Sequence, residues 1–348
     1  MKSSILPVFI SAVISITSCQ KENPSAEGER IAWAVGPVDT TGSGTILKTV
    51  DGGKTFQRQG LGLSSLQGIA LTDLFVVNRS EVWVVGNSCT LLHTMDGGDT
   101  WMNISLPNSN PDINLYGITY MNGAIYLSGD EGVVYKSTDN GTNWTLCNTA
   151  GLNSIMLQGI WAITSDRVFA VGQYVPDIDR GLISYTEDGG TSWDTLMLSD
   201  DFNRHEWIGA CSYGNSIVIY GTKNYYTYST NNGITWLNDS INVPGAGGGA
   251  DINHLVMLDE KTWWAALDNG HISRTTDGGL SWSQPNTGLG VAFMLGIDFW
   301  NYFEAISVGE YAGWPRYGPV AHTSNAGNSW TKDYTHAGAL HHVGCVRD

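Results

Sequence analysis

One eight-residue pattern occurs seven times in this chain, and it constrains the fold more than any other feature. The copies read TVDGGKTF from Thr49, TMDGGDTW from Thr94, STDNGTNW from Ser137, TEDGGTSW from Thr186, STNNGITW from Ser229, TTDGGLSW from Thr275 and TSNAGNSW from Thr323. Their third positions are Asp51, Asp96, Asp139, Asp188, Asn231, Asp277 and Asn325, so successive copies lie 45, 43, 49, 43, 46 and 48 residues apart. A near-constant period of this size signals a repeat array, and it is the length of a four-stranded propeller blade.

Each conserved position of the pattern has a physical task. An Asp or Asn oxygen accepts bonds from backbone N–H groups just ahead of it and closes a tight turn. The fifth residue is glycine in all seven copies, which suits a backbone site at positive φ. The eighth is aromatic in all seven (Phe56, Trp101, Trp144, Trp193, Trp236, Trp282, Trp330), and a large ring there can fill the space between neighbouring sheets.

Short apolar runs surround each turn. Thr45–Lys48, Thr90–His93, Val133–Lys136, Leu182–Tyr185, Tyr225–Tyr228, His271–Arg274 and Val320–His322 lead into it. Upstream lie Ile31–Gly36, Val82–Gly86, Ile125–Gly129, Val168–Gly172, Ile217–Gly221, Trp263–Leu267 and Ala305–Gly309. Innermost strands are expected at Leu66–Leu71, Leu115–Tyr120, Leu157–Ala162, Trp207–Ser212, Asn253–Leu258 and Met294–Phe299. The first blade lacks one, because no such run precedes Ile31. The C-terminal run Leu340–Arg347 has the innermost pattern and no blade of its own. The expected fold is therefore all-β: a seven-bladed β-propeller of four-stranded antiparallel blades, its first blade closed by the C-terminal strand. Closure removes the open sheet edges of a repeat array.

The octapeptide resembles the Asp-box, or BNR repeat, found in sialidases, sortilin-type receptors, some glucan hydrolases and the photosystem II stability and assembly factor family. The last is the best overall match. Its members pair a GWAVG-like strand with a T-x-DGG-x-TW turn in every blade, and here AWAVG (Ala32–Gly36), VWVVG (Val82–Gly86) and VFAVG (Val168–Gly172) fit. The resemblance covers almost all of residues 31–348 and implies a propeller that binds a protein. It also implies an arginine-rich recognition surface, from which this chain departs with nine arginines in all.

Residues 1–18 read as a secretory signal: Lys2 gives the positive start and Ile5 to Ile16 an apolar stretch too short to span a bilayer. Ile16-Thr17-Ser18-Cys19 resembles a bacterial lipobox, which implies cleavage before Cys19 and lipid attachment to it. Gln20 after Cys19 implies sorting to the outer membrane. Polar residues 19–30 are expected to form a flexible lipidated tether and residues 31–348 the propeller. The expected protein is a monomeric outer-membrane lipoprotein facing the periplasm or the cell surface, held to the membrane through the lipid alone. Cys89, Cys147, Cys211 and Cys345 show no metal or redox spacing and read as buried thiols.

A formal charge of −16 excludes a nucleic-acid partner, whose phosphates demand clustered Lys and Arg. A sialidase site needs three arginines on a carboxylate, and Arg180, Arg204, Arg274 and Arg316 are scattered. A glucan-cleaving site needs two carboxylates across a cleft, for which Asp177, Asp179, Glu206 and Glu310 are candidates. No catalytic residue is assigned, and a sialidase-like or glucan-cleaving glycoside hydrolase stands as the alternative reading.

In a propeller the octapeptide turns and the channel mouth lie on opposite faces. Two long second-to-third strand loops on the mouth side are rich in recognition residues: Tyr174, Asp177 and Arg180 in Gln173–Gly181, and Glu310, Tyr311, Trp314, Arg316 and Tyr317 in Glu310–Pro319. Strand entrances add Arg204, His205, Glu206, His254 and His341. The expected partner is an envelope protein or a glycan. His254, His341 and His342 lie on different blades without metal-ligand spacing, so neither metal nor cofactor is expected. The glycine-rich run Pro244–Ala250 lacks the strand–loop–helix context of a phosphate loop.

Overall fold

The apolar run Ala32–Val38 finds partners on both edges. On one side it pairs antiparallel with Gly44–Thr49, and on the other with the far end of the chain, Ala32 opposite Cys345 and Val35 opposite His342. The C-terminal strand His342–Cys345 thus completes the first blade, as the sequence predicts. The computed structural model describes residues 28–149, 152, 154–175, 180–198, 205–242, 249–285, 287–288, 292–311 and 317–347.

Seven antiparallel sheets follow the repeat. From the channel outward, blade 1 is His342–Cys345, Ala32–Val38, Gly44–Thr49 and Gln57–Arg58; blade 2 is Leu71–Val76, Val82–Gly86, Thr90–Thr94 and Met102–Asn103. Blade 3 is Leu115–Met121, Ala124–Gly129, Val134–Ser137 and Thr145–Leu146; blade 4 is Leu157–Ala162, Val168–Val175, Arg180–Thr186 and Asp194–Thr195. Blade 5 is Trp207–Tyr213, Ser216–Gly221, Tyr225–Ser229 and Leu237–Ser240. Blade 6 holds Ile252–Met257, Trp263–Leu267 and Ile272–Thr275, its outermost strand reduced to the bridge Arg274–Ser283. Blade 7 is Ala292–Phe299, Ala305–Tyr311, Gly318–Thr323 and Thr331–His336.

One expected strand is displaced. Leu66–Leu71 is not the innermost strand of blade 2: Ser64–Leu66 is a short 3-10 turn, Gly68 sits at φ +71°, and the strand runs from Leu71 to Val76. The segment Leu66-Gln67-Gly68-Ile69 repeats the letters of Leu157-Gln158-Gly159-Ile160, a true innermost strand, and so misleads.

Each octapeptide closes through the same bonds. In the first, Gly53 N–H donates to Thr49 Oγ1 (2.9 Å), Thr49 donates to Asp51 Oδ1 (2.8 Å), Thr55 N–H donates to the same oxygen (3.0 Å), and Thr55 Oγ1 donates to Asp51 Oδ2 (2.6 Å). Asn serves in blades 5 and 7 because its Oδ1 takes the N–H and its Nδ2 donates to Thr235 and Ser329. The fifth-position glycine is doubly required. Gly141 has φ +78°, and a Cβ there would stand 2.3 Å from the Trp83 ring of the preceding blade.

The eighth-position ring packs on the preceding blade. Trp144 meets Trp83 edge-on at 6.1 Å, Trp236 meets Phe169 at 5.8 Å, and Trp330 meets Trp264 at 6.3 Å. Such a pair contributes about 0.5–1.5 kcal/mol beyond its buried area. Basic side chains lie over four rings of the second strands and bond the next octapeptide: Lys48 over Trp33 to Gly97 O, Lys136 over Tyr126 to Gly189 O, Arg167 over Phe169 to Asn232 O, and Arg274 over Trp264 to Ala326 O. Two of the nine arginines are thereby committed between blades.

The octapeptide turns share one face with the first-to-second strand turns. Gly97 N–H donates to Ser80 O, Asn140 to Gly123 O, Gly189 to Asp166 O, Asn232 to Asn215 O, Gly278 to Lys261 O and Ala326 to Phe303 O. In blade 1, where the chain enters, Arg30 takes the turn's place and its carbonyl accepts from Gly52 N–H at 3.1 Å. Loops into the innermost strands, and second-to-third strand loops, occupy the other face.

Candidate functional site

In blades 2 to 7 the innermost strand enters its sheet through a β-bulge, and the residue just after it, like His342 in blade 1, pairs next to the end of the second strand. In blades 3, 4, 5 and 7 this residue is Gly117, Gly159, Gly209 and Gly296. These glycines let backbones abut: a Cβ on Gly159 would lie 3.0 Å from Gly209 Cα, and one on Gly296 3.2 Å from His342 Cα. The other three blades place a polar side chain there: Asp73 in blade 2, His254 in blade 6 and His342 in blade 1.

These three line a central cavity of about 800 Å³. His342 Nδ1 donates to Asp73 Oδ1 at 2.7 Å. The other Asp73 oxygen accepts Ile118 N–H at 2.9 Å, so one carboxylate joins blades 1, 2 and 3. The His254 ring meets the His342 ring edge-on at 4.5 Å, across the space that Gly296 leaves vacant. Nδ1 of His254 lies 2.9 Å from Ile297 O. Burial works against charging His342, but the Asp73 carboxylate outweighs it and lifts the pKa above the usual imidazole value. Burial, reinforced by the charge on His342, drives His254 down to about 3. The pair therefore sets an imidazole held toward its charged form against one held neutral.

A second carboxylate holds the closing strand from blade 7. Asp298 Oδ2 accepts Cys345 N–H at 2.8 Å, and Oδ1 accepts Arg347 at 2.7 Å. Deep burial raises the thiol pKa of both Cys211 and Cys345, which keeps them protonated and inert. Among the described residues no group of three His, Cys, Asp or Glu could hold a metal ion. Towards the loop face the cavity is lined by Thr72, Tyr116, Gln158, Asn253 and His341.

The structure places the sequence-predicted surface residues differently. His254 and His341 line the cavity. Glu206, Glu310, Tyr311 and Tyr317 stand outside it on the loop face. His205 is buried and stacked on Tyr225 at 4.1 Å, so it packs rather than presents itself. Tyr174 and Arg180 are strand residues of the second-to-third strand hairpin of blade 4, Tyr174 opposite Gly181 and Arg180 opposite Val175. Asp177, Arg204, Trp314 and Arg316 lie outside the described residues, as do Cys19 and the run 243–248.

Blade 7 rises like blade 4. Its first two strands pair as far as Ala292–Tyr311, with Phe293 opposite Glu310. Tyr311 N–H donates to Tyr317 O at 2.8 Å, and Lys332 lies 5.3 Å over the Tyr311 ring and bonds its hydroxyl at 3.1 Å. Phe293 and Tyr317 are 38% and 42% exposed, large for aromatic side chains at a strand end. Sequence reasoning missed Phe293, Asp73 and Asp298. Aligning innermost strands on the bulged glycine would have exposed Asp73, His254 and His342 as the three departures.

Residues 32–175 match the family model described as Photosynthesis system II assembly factor YCF48. Over that stretch the chain is similar to photosystem II assembly factors. It is 25% identical over 266 residues to the chloroplastic photosystem II stability/assembly factor HCF136 of Arabidopsis thaliana, covering 72% of this chain and 64% of that protein. It is 27% identical over 252 residues to the photosystem II assembly lipoprotein Ycf48 of Synechococcus sp. (strain CC9902), covering 70% of each. The propeller thus spans just under two thirds of the plant factor's length. Among solved structures, YCF48 bound to D1 peptide superposes with a TM-score of 0.58 at 17% identity over 76% of this chain and 80% of that one. A GH74 xyloglucanase from Xanthomonas campestris superposes at 0.62 with 12% identity over 88% of this chain and 52% of that one. Both structures speak to the fold alone.

Proposed function

We propose that this photosystem II assembly factor-like propeller is an exported, lipid-anchored protein that binds an extended segment of a protein partner across the loop face. The observation that carries this reading is the pair of raised hairpins on blades 4 and 7. Three steps apart in a ring of seven, their extended strand pairings stand on opposite sides of the channel mouth. The exposed Phe293 and Tyr317 at one wall supply the rigid apolar contacts that concentrate binding energy at interfaces. Glu310 beside Phe293, and Lys332 over Tyr311, offer charges of both signs at the same wall. The relative named YCF48 was solved with a D1 peptide, which supports a peptide ligand for this chain too. The relative named as a lipoprotein supports the reading of Cys19 as the lipid attachment site; Gln20 after it is the ground for the outer membrane as destination.

Affinity purification from envelope extract tests the reading. Protein partners recovered with the wild type should fall at least tenfold with Phe293→Ala/Tyr317→Ala and stay with Ile234→Ala on the octapeptide face. Equal recovery by all three would count against the loop face. Turnover of a polysaccharide by the purified domain, abolished by Glu206→Gln or Glu310→Gln, would favour a glycoside hydrolase instead.

A further inference from the structure

We infer that the octapeptide face is seated on the membrane surface and that the loop face projects away from it. The inference rests on the lipid-anchored reading of Cys19 and adds the orientation and the surface that contacts lipid.

The root of the N-terminal segment is fixed on the octapeptide face. Arg30 N–H donates to Val50 O and Arg30 O accepts Gly52 N–H, both within the first octapeptide region. Its guanidinium bonds Glu304 of blade 7 at 2.7 Å, and Glu29 pairs with Arg79 of blade 2 at 3.2 Å. The chain thus leaves the propeller between the first-to-second strand turns of blades 7 and 2.

Reach then decides the orientation. The nine peptide units from Cys19 to Gly28 span at most about 30 Å however they are arranged. To lay the loop face on lipid, that segment would have to cross blade 1 to its rim and climb the blade. Three strand spacings of about 4.8 Å and a strand of about seven residues at 3.3 Å already need about 37 Å. Side chains on the rim lengthen the path further.

The face itself suits a lipid surface. Val50, Met95, Ile234 and Leu280 are octapeptide residues with exposures of 48, 65, 80 and 76%. They come from blades 1 and 2 and from blades 5 and 6, so two apolar pairs stand on nearly opposite sides of the ring. Asp51, Asp96, Asp139, Asp188 and Asp277 share this face as carboxylates, each bonded within its own turn. That charge suits a zwitterionic headgroup layer rather than an anionic one.

The test uses lipidated full-length protein in phosphatidylcholine vesicles containing headgroup-level spin-labelled lipid. Fluorescent probes are placed at Met95→Cys, Ile234→Cys or Tyr317→Cys in a Cys147→Ser background. Quenching should reach at least half at Met95 and Ile234 and stay below one tenth at Tyr317. Vesicle-bound protein quenched at Tyr317, or at none of the three sites, would overturn the orientation alone. Mass spectrometry showing no lipid on Cys19 would overturn the anchor, and the seat with it.

Discussion

His342 donates to Asp73 at 2.7 Å, and this contact fastens the last strand of the chain to the second blade. Asp298 performs the matching task from the seventh blade through Cys345 N–H and Arg347. The ring is therefore closed by one strand pairing of four residue pairs and a carboxylate on either side of the joint.

Deleting residues 340–348 removes that strand along with buried Leu340, Val343 and Cys345. The shortened protein should lose its cooperative unfolding transition by calorimetry, because both blade 1 and its neighbours are left with open edges. Deleting residues 20–27 should move the midpoint by no more than about 1 °C, the size of a few tenths of a kcal/mol.

The two imidazoles predict opposite pH arms. The folded pKa of His342 lies above the unfolded value of about 6.5, so its contribution is complete below that pH and is lost as pH rises through the folded value. That of His254 is depressed to about 3, so its contribution is complete above about pH 6.5 and falls as the solution is acidified. Denaturation midpoints should peak near pH 6.5. His342→Asn should flatten the alkaline arm and cost about 1–3 kcal/mol at pH 6, between the values for exposed and buried pairs. His254→Asn should flatten the acid arm between pH 6.5 and 4. Profiles parallel to the wild type would show that neither group titrates as the geometry requires.

Below pH 4 a second acid loss follows from the turns. Hydrogen bonds from Thr100 and Ser192 hold the exposed Asp96 and Asp188 carboxyls near 2, so their contributions persist down to the unfolded value and disappear as pH falls through the folded one. Thr94→Val removes the hydroxyl that accepts Gly98 N–H at 2.8 Å and should cost about 1–2 kcal/mol in urea denaturation. Gly141→Ala should cost more, about 2–4 kcal/mol, because it adds a Cβ at positive φ against the Trp83 ring.

The repeat made the blade number, the turn chemistry and the closing strand readable, because each depends on local hydrogen bonding and period. The channel was not readable in the same way. Asp73 lies five residues beyond the decoy Gly68, and only the pairing of Asp73 with Val85 reveals that it occupies a glycine's place. Likewise, His254 and His342 meet although a whole blade separates them, a contact that depends on Gly296 having no side chain. His205 illustrates the reverse error: at a strand entrance it looks exposed, yet Tyr225 covers it.

The central claim is that a protein partner lies across the face opposite the octapeptides. Placing a photo-crosslinking amino acid at Tyr317 or Ile234 in living cells tests it most directly. A discrete protein adduct from Tyr317, lost on Phe293→Ala and missing from Ile234, is the predicted result. Adducts of equal yield from both positions, or none from Tyr317, would contradict it.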